Sequence, residues 1–349
     1  MEQAKIICTI GPSCDSVETL LALQSAGVDI FRVNMSHASI DSLKKYIEIS
    51  RTNNIRLGID TEGAQIRTKL VSKKKLFLKE GENIRVKKHH SNNFYFYPKS
   101  TNKILKKEML LRLGFNGAII SVNNIDENYI DLICINSGWI ENNKGVDVIN
   151  QKISLPDLTD KDIEAIKIAK ENNIFDIFLS FCKSKTTILE TKKIFPNCIV
   201  SSKIESKLSI NNLDEILEYS ESILIDRGDL TREINILDIP FAQRGIINMA
   251  KKYSKPCYVA TNVLESLIKE ELPNRAELND IVSTLEMGAT GIVLAAETAI
   301  GKKPILCAEI VKEMMHRFNL HKNGLLFTDL ERNEITDKEM KIWLNRINK

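Results

Sequence analysis

Short apolar runs alternate with amphipathic segments along most of this chain. The runs are KIICTI, IFRVN, RLGID, DIFLSF, IVSSKIE, SILIDRGD, PCYVAT and GIVLAAE. Each is close to continuously apolar before it ends in polar residues, which is the pattern of a strand buried on both faces. Between most of them the period lengthens to that of a helix. SVETLLALQSAG opens with Ser16 and Glu18 and closes at Gly27. TDKDIEAIKIAKENN starts from a capping Thr159 with Asp162 three residues on, a near relative of the capping box. Strands alternating with helices predict an α/β fold with a parallel sheet covered by helices. Eight such units predict a closed (β/α)8 TIM barrel with its functional groups at the C-terminal strand ends. A doubly wound open sheet is the alternative that the pattern alone leaves standing.

The alternation breaks between GIDT (58–61) and LPDL (155–158). There the period is two, as in NYIDLICI, with Asn, Gly and Lys punctuation and an aromatic cluster, FYFY, at 94–97. This texture predicts a small all-β lid domain inserted after the third barrel strand. The predicted organisation is a barrel from 1–67 and 155–320, an inserted lid over 68–154, and a tail, 321–349, with a short helix in DKEMKIWLNRI.

Composition narrows the class. The 349 residues are 43% hydrophobic and 27% charged, enough for a large core, and a net charge of +3 excludes a general polyanion binder. The segment from Thr68 to Met109 differs, with twelve Lys or Arg against three Asp or Glu. Seven cysteines stand without CxxC or paired spacing, several inside apolar runs, and read as buried core residues of a cytoplasmic protein. No apolar stretch approaches 18 residues, so no membrane span is expected. His89 and His90 fall in the basic segment and read as solvated. No His, Cys and carboxylate set has zinc spacing, and neither G-x-G-x-x-G nor a Walker loop is present.

The strand ends carry a mixed chemical set. The second strand delivers Arg32, Asn34, Ser36 and His37; the third Asp60 and Thr61, with Arg67 just after; the fifth Lys203 and Glu205. The sixth delivers Asp226, Arg227, Gly228 and Asp229, the seventh Thr261 and Asn262, and the eighth Glu297 and Thr298. Glu205 and Asp229 on neighbouring strands suit a hard divalent cation such as Mg2+. Lys203 beside that ion, with Arg32 across the mouth, makes a positive clamp for a phosphoryl group or an enolate. Gly228 allows backbone N–H groups to approach an anion. Asn34, Ser36, Asp60 and Thr61 offer oxygen ligands suited to a monovalent or hard cation. Taken singly, each has a plainer reading: a surface ion pair for Lys203 and Glu205, a turn for Arg227-Gly228-Asp229, hydrogen bonds between strand ends for the oxygen set. Their convergence on one rim favours a site.

With these residues placed, the sequence resembles the pyruvate kinase family. KIICTIGPS is similar to its opening strand and turn, FRVNMSHA to its Arg-x-Asn-x-Ser-His segment, and GIDTEGAQIRT to its Asp-Thr-x-Gly-x-x-Ile-Arg-Thr segment. SKIES, RGDL, ATNVLES, NRAE and AAETAIGKKP continue the likeness in order, from Ala4 to Arg317. The resemblance implies Mg2+-dependent phosphoryl transfer from phosphoenolpyruvate to ADP. It casts Lys203, Arg32 and Thr261 as catalytic residues: Lys203 on the transferring phosphoryl group, Arg32 on phosphate, Thr261 beside the enolate face that is protonated. It implies Gly228, Asp229 and Thr261 around the pyruvate portion, Glu205 and Asp229 on Mg2+, and Asn34, Ser36, Asp60 and Thr61 on K+. Asn34, Met35, Ser36, His37, Arg67 and Lys144, the last from NKGV, match nucleotide-contacting positions.

Departures stand beside the likeness. Ala295-Ala296-Glu297-Thr298 replaces Ser-Gly-Glu-Thr, removing a hydroxyl implicated in the proton relay. Asp226 stands in place of a small residue, Thr231 of a glycine, Asn262 of a glutamine, Phe115-Asn116-Gly117 of Asp-Asp-Gly, and Gln65 of a glutamate. No counterpart of the family's C-terminal allosteric domain is recognised after Arg317, which implies a form without sugar-phosphate regulation, monomeric or a homodimer. Two other readings remain at this level. One is a Mg2+-dependent enolate enzyme of another class, a lyase or transferase. The other is a noncatalytic metabolite-binding homologue, or an RNA module using the basic insertion, although nucleotide phosphates or solubility explain those lysines as well.

Overall fold

The computed structural model describes residues 4–71, 75–88, 94–98, 101–114, 117–151, 153 and 155–322. Eight parallel strands close on themselves: β1 (Lys5–Thr9), β2 (Ile30–Asn34), β3 (Leu57–Asp60), β4 (Asp176–Leu179), β5 (Ile199–Ile204), β6 (Ser222–Asp226), β7 (Cys257–Ala260) and β8 (Gly291–Leu294). Each pairs with its sequence neighbours and β8 returns to β1, so the open-sheet alternative is excluded. All eight lie in the apolar runs of the sequence.

Side chains alternate between two buried faces because helices cover the outside and the strands enclose the inside. Ile7, Ile30, Phe178, Leu224, Tyr258, Ala260 and Val293 form a packed cluster in the barrel. Adding two residues to this inward set, toward the C-terminal ends, reaches Thr9, Arg32, Ser180 and Asp226. The register sets Arg32 against Gly58 and Lys203 against Leu224, so Asp60 and Lys203 share the inward face. The rim is therefore polar on the same two-residue period that makes the layer below it apolar.

The helices are set by caps as well as by amphipathicity. In α1 (Val17–Ser25), the Ser16 hydroxyl accepts the Thr19 N–H, and Gly27 follows at φ +106°, a conformation that favours glycine. α2 (Ile40–Asn53) is capped by Ser39 and stopped by a left-handed Asn54. α3 (Asp160–Glu171) completes the return from β3 to β4, and its buried Asp162 accepts the Glu62 N–H at 2.7 Å. α4 (Lys185–Ile194), α5 (Leu213–Tyr219), α6 (Ile239–Lys252), α7 (Arg275–Met287) and α8 (Pro304–Lys322) follow in turn. The NRAE motif is the start of α7. Asn274 accepts the Glu277 N–H at 2.9 Å and Glu277 accepts the Asn274 N–H at 3.1 Å, a reciprocal capping box.

The chain divides into two compact units, one of residues 1–62 with 160 onward, the other of residues 63–159. The boundaries fall a few residues inside the expected barrel segments, and Arg67 belongs to the inserted unit. Among the described residues that unit holds a five-stranded antiparallel sheet and two two-stranded sheets. Its core includes Phe94 and Phe96, whose rings meet edge to face at 5.8 Å. Half of FYFY is thus core, and the alternation of Tyr129–Asn136 follows the expected two-fold period. The seven cysteines are buried. His89, His90, Phe115, Asn116 and the expected tail helix lie outside the described residues.

Candidate active site

The inward rim positions form one connected chain of polar contacts. Arg32 donates to the Thr9 hydroxyl from Nε and Nη2, at 3.2 and 2.7 Å, and its Nη1 lies 3.2 Å from Asp60 Oδ2. Asp60 Oδ1 accepts the Ser180 hydroxyl at 3.0 Å, and Ser180 Oγ in turn accepts Lys203 Nζ at 3.1 Å. Lys203 also meets three carboxylates: Glu205 at 2.7 Å, Asp60 at 3.2 Å and Asp226 at 3.5 Å. From Asp226 the chain passes to Thr261, whose hydroxyl lies 3.3 Å from Oδ1. Six neighbouring strands and the loop after β7 contribute.

Burial makes these contacts strong. Arg32, Asp60, Lys203 and Glu205 are all at least 96% buried, in surroundings of low effective dielectric. Burial alone would strip the Lys203 proton, but the attraction of Asp60, Glu205 and Asp226 outweighs it and holds the amine well above its ordinary pKa. Lys203 is a fixed ammonium. Glu205 moves upward, first because it is buried and then because Asp226 and Asp229 repel its charge, against the pull of Lys203. Asp226 is also opposed by burial, yet Lys203 and Arg32 hold it below the usual carboxylate range. On the far side of the mouth burial pushes Glu297 up to about 7, and its Oε1 has no hydrogen-bond partner.

Glu205, Asp226 and Asp229 each offer a carboxylate oxygen, and the three atoms lie within 4.8 Å of one another. Three carboxylates this close could hold one hard divalent cation. The buried Glu205 Oε1 meets the Lys203 ammonium at 2.7 Å. All-oxygen donors and an excess of carboxylates fit a hard divalent cation.

The remaining expected residues are placed as follows. Gly228 donates its N–H to Thr261 Oγ1 at 2.9 Å. A Cβ there would lie 3.3 Å from Thr261 Cγ2 and 3.4 Å from Asp226 Oδ1, closer than most side chains tolerate. Thr261 and Asn262 hold positive φ angles of 70° and 54°, turning the chain sharply at the rim. Asn34 Oδ1 accepts the Ser36 N–H, and Asn34 stands opposite Asp60 in register. Thr61 Oγ1 accepts the Ser180 N–H at 2.8 Å, and both Asp60 and Thr61 are fully buried. Met35 turns its side chain into the core and receives the Lys161 ammonium on its carbonyl. His37 is exposed. Arg67 and Lys144 lie together in the inserted unit, where Thr68 N–H reaches the Lys144 carbonyl and Arg67 bridges Gly145.

Two residues of the chain of contacts have no forewarning in sequence. Thr9 and Ser180 end strands from which nothing was singled out, and a lone hydroxyl after an apolar run carries no chemical signal. Arg227, counted among the rim groups, turns away from them. It bonds to Asp280 at 2.6 Å and to the carbonyls of Ala260 and Thr261, bracing the turn that presents Thr261.

Comparison with known proteins agrees with this architecture. Residues 1–308 match the family model for the pyruvate kinase barrel domain. The chain is 32% identical over 328 residues to a pyruvate kinase of Thermotoga maritima, an alignment covering 90% of this chain and 70% of that protein. It is 33% identical over 327 residues to plastidial pyruvate kinase 3 of Arabidopsis thaliana, covering 88% of this chain and 57% of the relative. The crystal structure of Cryptosporidium parvum pyruvate kinase superposes with a TM-score of 0.81 at 27% identity, covering 91% of this chain and 70% of that one.

Proposed function

The chain belongs to the pyruvate kinase family, and on that premise we propose that it transfers the phosphoryl group of phosphoenolpyruvate to ADP, giving pyruvate and ATP. The observation that carries the reading is the buried Lys203 ammonium, held at the barrel rim by Asp60, Glu205 and Asp226, with Asp229 close to the last two. Phosphoryl transfer asks little covalent chemistry of a protein. It asks for alignment and for fixed positive charge where the equatorial phosphoryl oxygens gather negative charge.

In this reading Lys203 sits on the migrating phosphoryl group, and Arg32 binds the phosphate of the substrate. Neither reorganises during the reaction, since Thr9 and Asp60 hold Arg32 while Ser180 and the carboxylates hold Lys203. Gly228 and Asp229 bind the three-carbon portion, and Thr261 lies beside the carbon to be protonated. At the eighth strand Ala295 supplies no hydroxyl to a proton relay, and the neighbouring Thr298 hydroxyl is bonded to the Thr9 carbonyl at 3.1 Å. Proton delivery therefore falls to Thr261 and solvent.

Mg2+ would be held by Glu205 and Asp229 and, when bound, supplies Lewis-acid charge that neutralises substrate oxygens and orients them. Asn34, Ser36, Asp60 and Thr61 are assigned to K+ on their oxygen-only chemistry and on the pairing of Asn34 with Asp60. Asn34 to His37, Arg67 and Lys144 are assigned to the nucleotide. Among the described residues no helix is long and apolar enough to cross a membrane, in keeping with a cytoplasmic enzyme.

The test is a lactate dehydrogenase-coupled assay of the full chain with phosphoenolpyruvate, ADP, Mg2+ and K+. Pyruvate formation that depends on ADP and disappears in Lys203→Met supports the reading. Inactivity of the unaltered chain across K+ and Mg2+ concentrations overturns it.

A further inference from the structure

Asp226 occupies the groups that the substrate needs. It closes β6 with its carboxylate on the inward face and is 7% exposed. Oδ2 lies 3.5 Å from Lys203 Nζ, and Oδ1 lies 3.3 Å from the Thr261 hydroxyl. The proposed function gives that ammonium to the phosphoryl group and that hydroxyl to the three-carbon unit. A resident anion thus stands between the two contacts that an incoming anion must make.

The same carboxylate has a second set of neighbours. One of its oxygens falls within 4.8 Å of ligand atoms on Glu205 and Asp229. Glu205 is fully buried beside it, its Oε2 accepting the Phe181 N–H at 2.7 Å and its Oε1 meeting the Lys203 ammonium at 2.7 Å. Charge counting shows why the two sets compete. Lys203 and Arg32 together face Asp60, Glu205 and Asp226, so without a further cation the acids outnumber the bases and disfavour an anionic ligand. A divalent ion held among Glu205, Asp226 and Asp229 would reverse that balance.

We propose that Asp226 is an internal carboxylate that competes with the substrate for Lys203 and Thr261 and is drawn off them as a third carboxylate ligand of the divalent cation, making anion binding conditional on the cation. This rests on the phosphotransferase reading of the same site. It assigns Asp226 two opposite effects, weakening the anion and strengthening the metal, that a merely structural residue would not show together.

The experiment uses the full chain and the variants Asp226→Ala and Asp226→Asn, the second keeping the shape of the side chain should the first fail to fold. Oxalate, a dianion shaped like enolpyruvate, is titrated calorimetrically with and without Mn2+. Mn2+ binding alone is followed by electron paramagnetic resonance. Removing one charge at contact distance is expected to tighten cation-free oxalate binding about tenfold and to weaken Mn2+ binding about tenfold. Cation-free oxalate affinity and Mn2+ affinity that both match the unaltered chain, in a folded Asp226→Asn protein, overturn the inference alone. Failure of the unaltered chain to bind oxalate even with Mn2+ overturns the functional reading and the inference with it.

Discussion

The Ser180 hydroxyl stands between Lys203 Nζ at 3.1 Å and Asp60 Oδ1 at 3.0 Å, joining the fixed ammonium to the carboxylate that also holds Arg32. Ser180→Ala leaves both neighbours one hydrogen bond short in a dry environment, at a cost of about 1–2 kcal/mol in stability. The larger effect should appear in catalysis. With the ammonium less firmly placed, kcat is expected to fall about tenfold, the scale for losing a contact that orients a charged group. Steady-state kinetics and denaturant unfolding check the two parts separately.

Lys203→Met should abolish turnover and also destabilise the fold. The substitution strands Asp60, Glu205 and Asp226 without their shared cation, and breaking a buried ion pair from one side costs about 3–5 kcal/mol. A divalent cation binding this excess of carboxylates stabilises the folded form by mass action. The expected signature is a variant of lowered melting temperature that Mg2+ raises more than it raises that of the unaltered chain.

Much of this site could be read from sequence because strand period and barrel geometry do the placing. Arg32 and Asp226 fall two residues beyond the inward core residues Ile30 and Leu224, and the parallel register carries Asp60 and Lys203 onto the same face. The hydroxyls of Thr9 and Ser180 escaped notice, since serine and threonine end strands for many reasons. Arg227 misled in the other direction. Its place in Arg-Gly-Asp suggested the rim, but its long side chain reaches Asp280 on α7, a direction that spacing along the chain does not encode. The contact of Asp226 with Lys203 was equally hidden, because it joins residues on adjacent strands through side-chain reach. The insertion was legible as a β unit from its two-fold alternation, while its limits at 62/63 and 159/160 depend on packing that the period does not report.

Glu297 should make stability depend on pH. Burial raises its folded pKa to about 7, against offsetting backbone N–H groups and Arg32, from an ordinary value of 4.5. A carboxyl that holds its proton more tightly when folded contributes stability that is full below the unfolded value and is lost as pH rises through the folded one. The unaltered chain is therefore expected to lose a few kcal/mol between pH 4.5 and 7 from this group. Glu297→Gln, which stays neutral, should lack that component. Comparing the two proteins by urea denaturation at pH 5 and pH 8 isolates it, and parallel profiles would contradict the assignment.

Asn274→Ala is expected to cost about 1 kcal/mol, the usual loss for an N-cap. Its partner Glu277 also accepts the Ser266 N–H and hydroxyl, at 2.8 and 2.5 Å, and so ties α7 to the chain that follows Thr261. Replacement of Glu277 by Ala should be the more damaging change, lowering kcat along with stability. Thermal unfolding and the coupled assay on both variants distinguish a cap that only supports α7 from one that also steadies the Thr261 turn.

Two acids at the ends of adjacent strands, Glu205 and Asp229, are proposed to hold a divalent cation beside the Lys203 ammonium and the transferring group. The most direct measurement is the anomalous signal of Mn2+ in crystals of the chain grown with Mn2+ and oxalate. A single strong peak is expected at Glu205 and Asp229, with Asp226 joining them, oxalate completing the shell and Lys203 alongside. A peak elsewhere in the barrel, or Glu205 and Asp229 left without the ion, would contradict it.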